Sequence, residues 1–290
     1  MKNKKQFLEN VIHGIFLLTG LVTVGCVLVI TVYLVISGIP AIREIGLIDF
    51  LFGDTWDSTA KEPQYGILPF ILTSVYGTAG AVVLGVPVGF LTAVYLAKMA
   101  PKKAKAVMEQ AVSKLAGIPS VVYGLVGMMV LVPGIRKLFH IPDGASLLAA
   151  IIMLAVMILP SIIKMSVTAL EAVPKEYEDA SLALGATPEV TWFRVSVPAA
   201  KSGIAAAVVL GVGRAIGEAM AVMMVAGNVA NMPNSIFQSV RFLTTAVASE
   251  MAYSEGLQRQ ALFSIALVLC LFIMLINAAL NFFLKGEKTK

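Results

Sequence analysis

The sequence predicts an all-α, polytopic membrane protein with about six transmembrane helices. Three observations predict it. Of 290 residues, 58% are hydrophobic and only 13% charged, against about 25% charged in soluble domains; mean hydropathy is +0.89. Six apolar runs, at 11–36, 68–97, 116–133, 146–168, 202–227 and 261–284, come close to or exceed the roughly 20 residues needed to cross about 30 Å of hydrocarbon. They are continuous, whereas a transmembrane β-barrel would alternate over strands of about ten residues. Finally, Lys and Arg are distributed asymmetrically between the runs. With the N-terminus in the cytoplasm, fifteen fall inside (among them Lys98, Lys102, Lys103, Lys105, Lys175, Lys288 and Lys290) and six outside (Arg43, Lys61, Arg136, Lys137, Arg241 and Arg259). This is the positive-inside pattern and places both termini in the cytoplasm. The net charge of +5 therefore describes topology and membrane lipid contact, not a nucleic-acid partner.

The first run is too long for a signal-peptide core and ends in Tyr33-Leu34-Val35-Ile36 without a small-residue cleavage site, so it is expected to stay as a helix. Residues 37–66 read as an external loop that contains Gly38-Ile39-Pro40, and Trp56 in it reads as an interfacial anchor. The segment 98–115 is a short basic link inside. Links 134–145 and 228–260 lie outside, the second long enough for a re-entrant or surface helix. Gly85-Val86-Pro87-Val88-Gly89 and Gly211-Val212-Gly213 with Gly217 place small residues where membrane helices approach closely. Three parts follow: 1–67, with the first helix and external loop; 68–284, the transmembrane core; and 285–290, a cytoplasmic tail.

Cys26 and Cys270 each sit within an apolar run, and His13 and His140 form no cluster, so no metal site is expected. The absence of GxxxxGK[ST] excludes an ATPase. Neither a Ser-His nor a paired-Asp arrangement lies at membrane depth, which argues against an intramembrane enzyme. The inverted repeats of secondary transporters are not found either.

The most polar inside segment is 169–201. Pro174 opens a short helix with acidic residues in its first turn. Tyr177, Ala180, Ser181 and Leu184 share one face, Gly185 ends the helix as a left-handed cap can, and Thr187 before Pro188 caps the next. In the fifth run Arg214 lies near mid-membrane, with Glu218 four residues on and expected on the same helix face. Each such charge costs about 2.5–3.5 kcal/mol at a helix centre, so both belong in the bundle interior or along an aqueous path. Two readings stand open. Either the pair neutralises itself and fixes packing, or Arg214 offers a forked donor to an oxyanion while Glu218 holds the fork or accepts a proton.

Glu178-Asp179-Ala180 through Gly185 to Val197-Pro198 resembles the "EAA…G…LP" cytoplasmic loop of binding-protein-dependent ABC importer permeases, departing in Asp179 and in Val197 before Pro198. The resemblance implies that Glu178, Asp179, Ala180, Gly185 and Pro198 belong to a coupling helix that docks on an ATPase, within a bundle of the MetI-like permease type. Arg214 to Ala221, Gly117 to Gly124 and Tyr65 to Pro69 are similar to the phosphate-importer permease family called PstC, over about residues 65–284. That similarity implies Arg214 and Glu218 as counterparts of residues implicated in phosphate passage. Ser120 and Tyr123 either line the path or bond to neighbouring helices. It further implies an assembly: a second, similar permease, an ATPase dimer that binds ATP and Mg, and an external phosphate-binding protein, with no cofactor in this chain. Sulfate and molybdate are the competing substrates.

Overall fold

The computed structural model describes residues 2–286; Lys288 and Lys290 of the charge count lie outside the described residues. Among the described residues the regular elements are helices apart from one hairpin of two-residue strands. Helix α1 (Lys2–Ile45) is followed by α2 (Leu47–Phe52), strands β1 (Trp56–Asp57) and β2 (Gln64–Tyr65), and α3 (Leu68–Val94). After a π-helical stretch (Tyr95–Met99) come α4 (Lys102–Ala116), α5 (Ser120–Val126), a second π-helical stretch (Gly127–Leu131) and α6 (Val132–Phe139). Next are α7 (Leu147–Glu171), α8 (Lys175–Ala183), α9 (Pro188–Thr191), a third π-helical stretch (Trp192–Ser196) and α10 (Val197–Ala199). The chain closes with α11 (Lys201–Gly217), α12 (Met220–Val225), α13 (Leu243–Glu250) and α14 (Gly256–Gly286). Among the described residues five helical segments are long and apolar enough to cross a membrane. The pair Pro188–Ala199 and Lys201–Gly217, bent by 71°, makes a sixth if counted as one span.

Helix α7 is the axis, with α3 and α11 packed on either side. Glycines on α3 permit the close approach. A Cβ at Gly80 would stand 2.7 Å from Ile151 Cδ1, at Gly85 2.8 Å from Ile158 Cδ1, and at Gly89 2.9 Å from Ile162 Cγ2. The small-residue pattern read from Gly85 and Gly89 thus marks a real helix contact. Val86, Ala215, Ala221, Val222 and Val225 join this central cluster.

Helix α1 packs against α14 at the edge of the bundle, with Phe16, Leu18, Val29 and Ile36 uncovered, as lipid contact permits. It continues nine residues beyond the first apolar run, so Gly38-Ile39-Pro40, expected in a loop, lies within the helix. Tertiary contact explains the extension. Gly38 lets the Ser264 backbone approach to 3.0 Å of a built Cβ, and the Ser264 hydroxyl donates to the Gly38 carbonyl at 2.6 Å. Pro40, which has no N–H to donate to the helix, sits inside this braced region.

Trp56 is not an interfacial anchor. It is 7% exposed, packs edge-on to Tyr65 at 5.3 Å and tilted over Phe70 at 5.6 Å, and donates from Nε1 to Glu250 at 3.1 Å. The hairpin pairing of Trp56 with Tyr65 folds both rings into a second cluster with Phe50, Ile67, Leu243 and Leu262. Burying two aromatic rings there outweighs leaving the indole at a water boundary. The 228–260 link does contain a helix that enters the protein: Leu243, Thr244, Thr245 and Ala246 of α13 are buried.

Candidate functional site

The fifth span is interrupted where its chemistry sits. Helix α11 stops at Gly217, Glu218 is extended (φ −75°, ψ 128°), and α12 restarts at Met220. The expectation that Glu218 lies one turn from Arg214 on the same helix face is therefore corrected, and among the described residues no ion pair joins them. The reason is a local competition for donors. Glu218 Oε1 accepts from the Ala221 N–H at 3.1 Å, satisfying one of the free amides at the start of α12, while its carbonyl accepts from Thr244 Oγ1 of α13 at 2.8 Å. An extended residue with both acceptors engaged replaces a helical turn.

Arg214 is half-buried and reaches across to α7, where Nη1 stands 3.5 Å from Ser161 Oγ, a long and weak hydrogen bond. Its glycine neighbours divide by face. Gly211 is packed, a Cβ there lying 3.0 Å from Ile162, whereas a Cβ at Gly213 or Gly217 would meet nothing within 4 Å. The guanidinium thus sits at a helix break beside open space, with four of its five donors not engaged by the described residues. Tyr123, on α5, is within electrostatic range of Arg214, but its hydroxyl donates to the Leu115 carbonyl at 2.9 Å. Ser120 is half-buried at the first position of α5.

At the end of the bundle that carries α4, the polar segment after α7 forms a small helical projection. Helix α8 buries no residue, and Asp179, Ala180 and Gly185 are exposed, with Leu184 90% exposed. Gly185 has φ +84°, the left-handed cap that a side chain would strain, and Thr187 caps α9 by accepting from the Val190 N–H. Glu178 faces inward instead: it pairs with Lys98 and accepts from Ser196 Oγ at 2.7 Å. Ser181 and Thr191 hydroxyls meet at 2.9 Å. Pro198 is exposed in the first turn of α10. No group of three or more His, Cys, Asp or Glu that could hold a metal occurs among the described residues.

Residues 85–286 match the family model for the binding-protein-dependent transport system inner membrane component. The chain belongs to this family. It is the permease subunit of an ABC importer and not an enzyme, the ATPase being a separate subunit. A probable ABC transporter permease protein, YqgH of Bacillus subtilis, is 39% identical over 266 residues, covering 89% of this chain and 86% of that protein. The phosphate transport system permease protein PstC of Haemophilus influenzae is 32% identical over 293 residues, covering 92% of this chain and 91% of its own. A chain of the inward-facing MetNI methionine ABC transporter superposes with TM-score 0.57 at 22% identity, over 76% of this chain and 94% of that one; this similarity supports the fold.

Two features of the permease escaped sequence reasoning. One is a half-buried polar hub at the end opposite α8. Arg241 donates from Nε and Nη2 to the Asn228 carbonyl at 3.1 and 2.9 Å, pairs with Glu250, and lies 5.8 Å over the Phe70 ring. Glu250 also accepts from Trp56 and from Gln258 Nε2 at 3.0 Å. These residues have no common spacing, so only the chain fold brings them together. The other is a polar line on α7, Ser161, Lys164 and Thr168, spaced three and four apart and hence on one face. That spacing was visible in the fourth run, within an otherwise apolar sequence.

Proposed function

We propose that this permease carries inorganic phosphate inward by alternating access. The observation that supports it most is Arg214: a membrane-depth guanidinium at a helix break, beside uncrowded glycines and free of Glu218. A fork of donors is suited to a tetrahedral oxyanion, and open backbone on that side leaves room for the ligand. The relatives named as phosphate permeases agree with this substrate.

In this reading the chain pairs with a second, similar permease, and an external phosphate-binding protein delivers substrate. Two ATPase subunits bind ATP and Mg, and each permease offers them the projection around α8. Exposed Asp179, Ala180 and Gly185 form the docking face, while Glu178 braces it from within and Pro198 shapes the return to α11. Closure of the ATPase pair pulls the projection and shifts the bundle between two global states, driven by the partners' differential binding. The higher density of Lys and Arg at the α8 end supports a cytoplasmic position for that end and for both termini.

Uptake by the reconstituted complex, with labelled phosphate against sulfate and molybdate, tests the proposal. Phosphate is expected to be preferred. Arg214→Gln is expected to assemble with the ATPase yet lose most uptake, and Arg214→Lys, which keeps charge without the fork, to retain part of it. Preferred sulfate uptake would move the assignment to another oxyanion; full uptake by Arg214→Gln would remove Arg214 from the path.

A further inference from the structure

We infer that Thr244 is a positioning residue for transport: its hydroxyl holds the fifth span open at Glu218 and thereby keeps the Arg214 fork free for the oxyanion. The inference rests on the phosphate-permease reading and deepens it by naming what maintains the site. Local preference favours the closed alternative. Between Arg214 and Val225 only Gly217 strongly disfavours a helix, whereas Ala215, Glu218, Ala219, Met220 and Ala221 are good helix formers. A continuous helix would put Glu218 one turn after Arg214, and opposite charges at membrane depth pair when they can reach each other. The fork would then be occupied by Glu218 and not by an anion.

What opposes closure is a small set of contacts. The break leaves the Ala219 and Met220 N–H groups without an acceptor among the described residues, as the start of a new helix does. Two bonds offset that loss, and both go to Glu218: the Ala221 N–H to its carboxyl and Thr244 Oγ1 to its carbonyl. The first is local, and closure would exchange it for a helical bond. The second comes from outside the span, from a residue only 8% exposed, so water is a poor substitute for it. Thr244 is itself held in place. The Leu243 N–H donates to Ser74 Oγ of α3 at 3.0 Å, with Leu243 and Ser74 both buried. The Phe242 ring fills the notch at Gly77 of α3, where a Cβ would overlap it. The next threonine, Thr245, serves its own helix, accepting from the Phe242 N–H at 2.9 Å. Helix α13 is thus fastened to α3, and through the Thr244 hydroxyl it fixes the backbone of the break beside Arg214.

The test uses the complete complex, in vesicles for phosphate uptake and in lipid nanodiscs for amide hydrogen exchange. Thr244→Val keeps the side-chain shape and removes the donor, Thr244→Ala is a second donor-free variant, and Thr244→Ser keeps the donor. Both donor-free variants are expected to co-purify with the ATPase and to lose about tenfold of their uptake, the scale of one buried carbonyl left unpaired. They should also exchange more slowly at Ala219 and Met220, whose N–H groups a continuous helix would bond to the Ala215 and Ile216 carbonyls. Ala219 is half-buried and Met220 exposed, so their amides are open to this measurement. A contact that merely stiffens the fold would give the opposite sign, because its loss speeds exchange. Thr244→Ser should stay close to wild type in both readouts. In a Glu218→Gln background, where no ion pair can form, Thr244→Val should remove little further uptake. Wild-type uptake by the donor-free variants, or unchanged or faster exchange at Ala219 and Met220, would overturn the inference. So would a Thr244→Ser complex as impaired as Thr244→Val. If the wild-type complex prefers sulfate, the substrate reading fails by itself, while the exchange result stands and Thr244 is judged on sulfate uptake.

Discussion

Lys98, at the end of the α3 span, pairs with Glu178 of the projecting α8, and both side chains are largely covered, at 10% and 20% exposed. This contact, reinforced by Ser196, joins a membrane helix directly to the segment proposed to meet the ATPase. It provides a rigid link through which movement of α8 could be passed to the bundle. Burial works against the Glu178 charge, but hydrogen bonds from Lys98 and Ser196, with the charges of Lys98 and Lys175, outweigh it and hold the carboxyl below its ordinary value of 4.5. A carboxylate with a lowered folded value contributes stability that is present above the unfolded value and lost as pH falls through the folded one. The brace should therefore be complete at neutral pH and loosen only below 4.5. Glu178→Ala, which strands Lys98, is expected to cost about 1–3 kcal/mol locally and to weaken ATPase co-purification at pH 7. Unchanged melting and co-purification would show that the brace is dispensable.

Glu218 caps α12 through one carboxyl oxygen, which separates its structural role from its charge. Glu218→Gln keeps an acceptor for the Ala221 N–H and is expected to melt like wild type, whereas Glu218→Ala should lose about 1 kcal/mol. Uptake by the Gln variant is expected to fall despite normal melting, because the site loses a carboxylate near Arg214. The double replacement Arg214→Gln with Glu218→Gln should also assemble and stay inactive, since among the described residues no ion pair joins the two that would be relieved of its burial cost. Wild-type uptake by the double variant would show that phosphate is recognised elsewhere.

The Arg241–Glu250 hub ties the hairpin, α3, α13 and α14 together. Glu250→Ala leaves a mostly buried guanidinium without its carboxylate and frees two further donors, so a loss of about 3–5 kcal/mol is expected. Removing Arg241 in the same protein should cost less than the two single losses added. Thermal unfolding in detergent gives both values, and additive losses would argue against a coupled hub.

The orientation can be checked without transport. A cysteine at the exposed position of Asp57 should react with an impermeant reagent from outside, and a reporter fused after residue 290 should be cytoplasmic. Labelling only after permeabilisation would reverse the topology.

Much of the architecture was legible along the chain because the bilayer imposes local demands. A spanning helix needs a run of apolar residues wherever it sits, a left-handed cap needs Gly185 or its like, and close helix contact needs small residues such as Gly85 and Gly89. These constraints act within a few residues, so the spans and the α8 projection could be read from sequence. Tertiary structure decided the remainder. The apolar and helical preferences of 202–227 favour an unbroken helix, yet Glu218 gives its carboxyl to α12 and its carbonyl to Thr244, twenty-six residues away. Trp56 suited a water boundary by its type, but pairing with Tyr65 and bonding to Glu250, 194 residues distant, drew it inside. Partners so far apart in sequence have no periodicity to announce them. Their contact exists only once helices have packed and each buried polar group has found a donor or acceptor, and for that reason the spans were a property of the sequence while the geometry around Arg214 was a property of the fold.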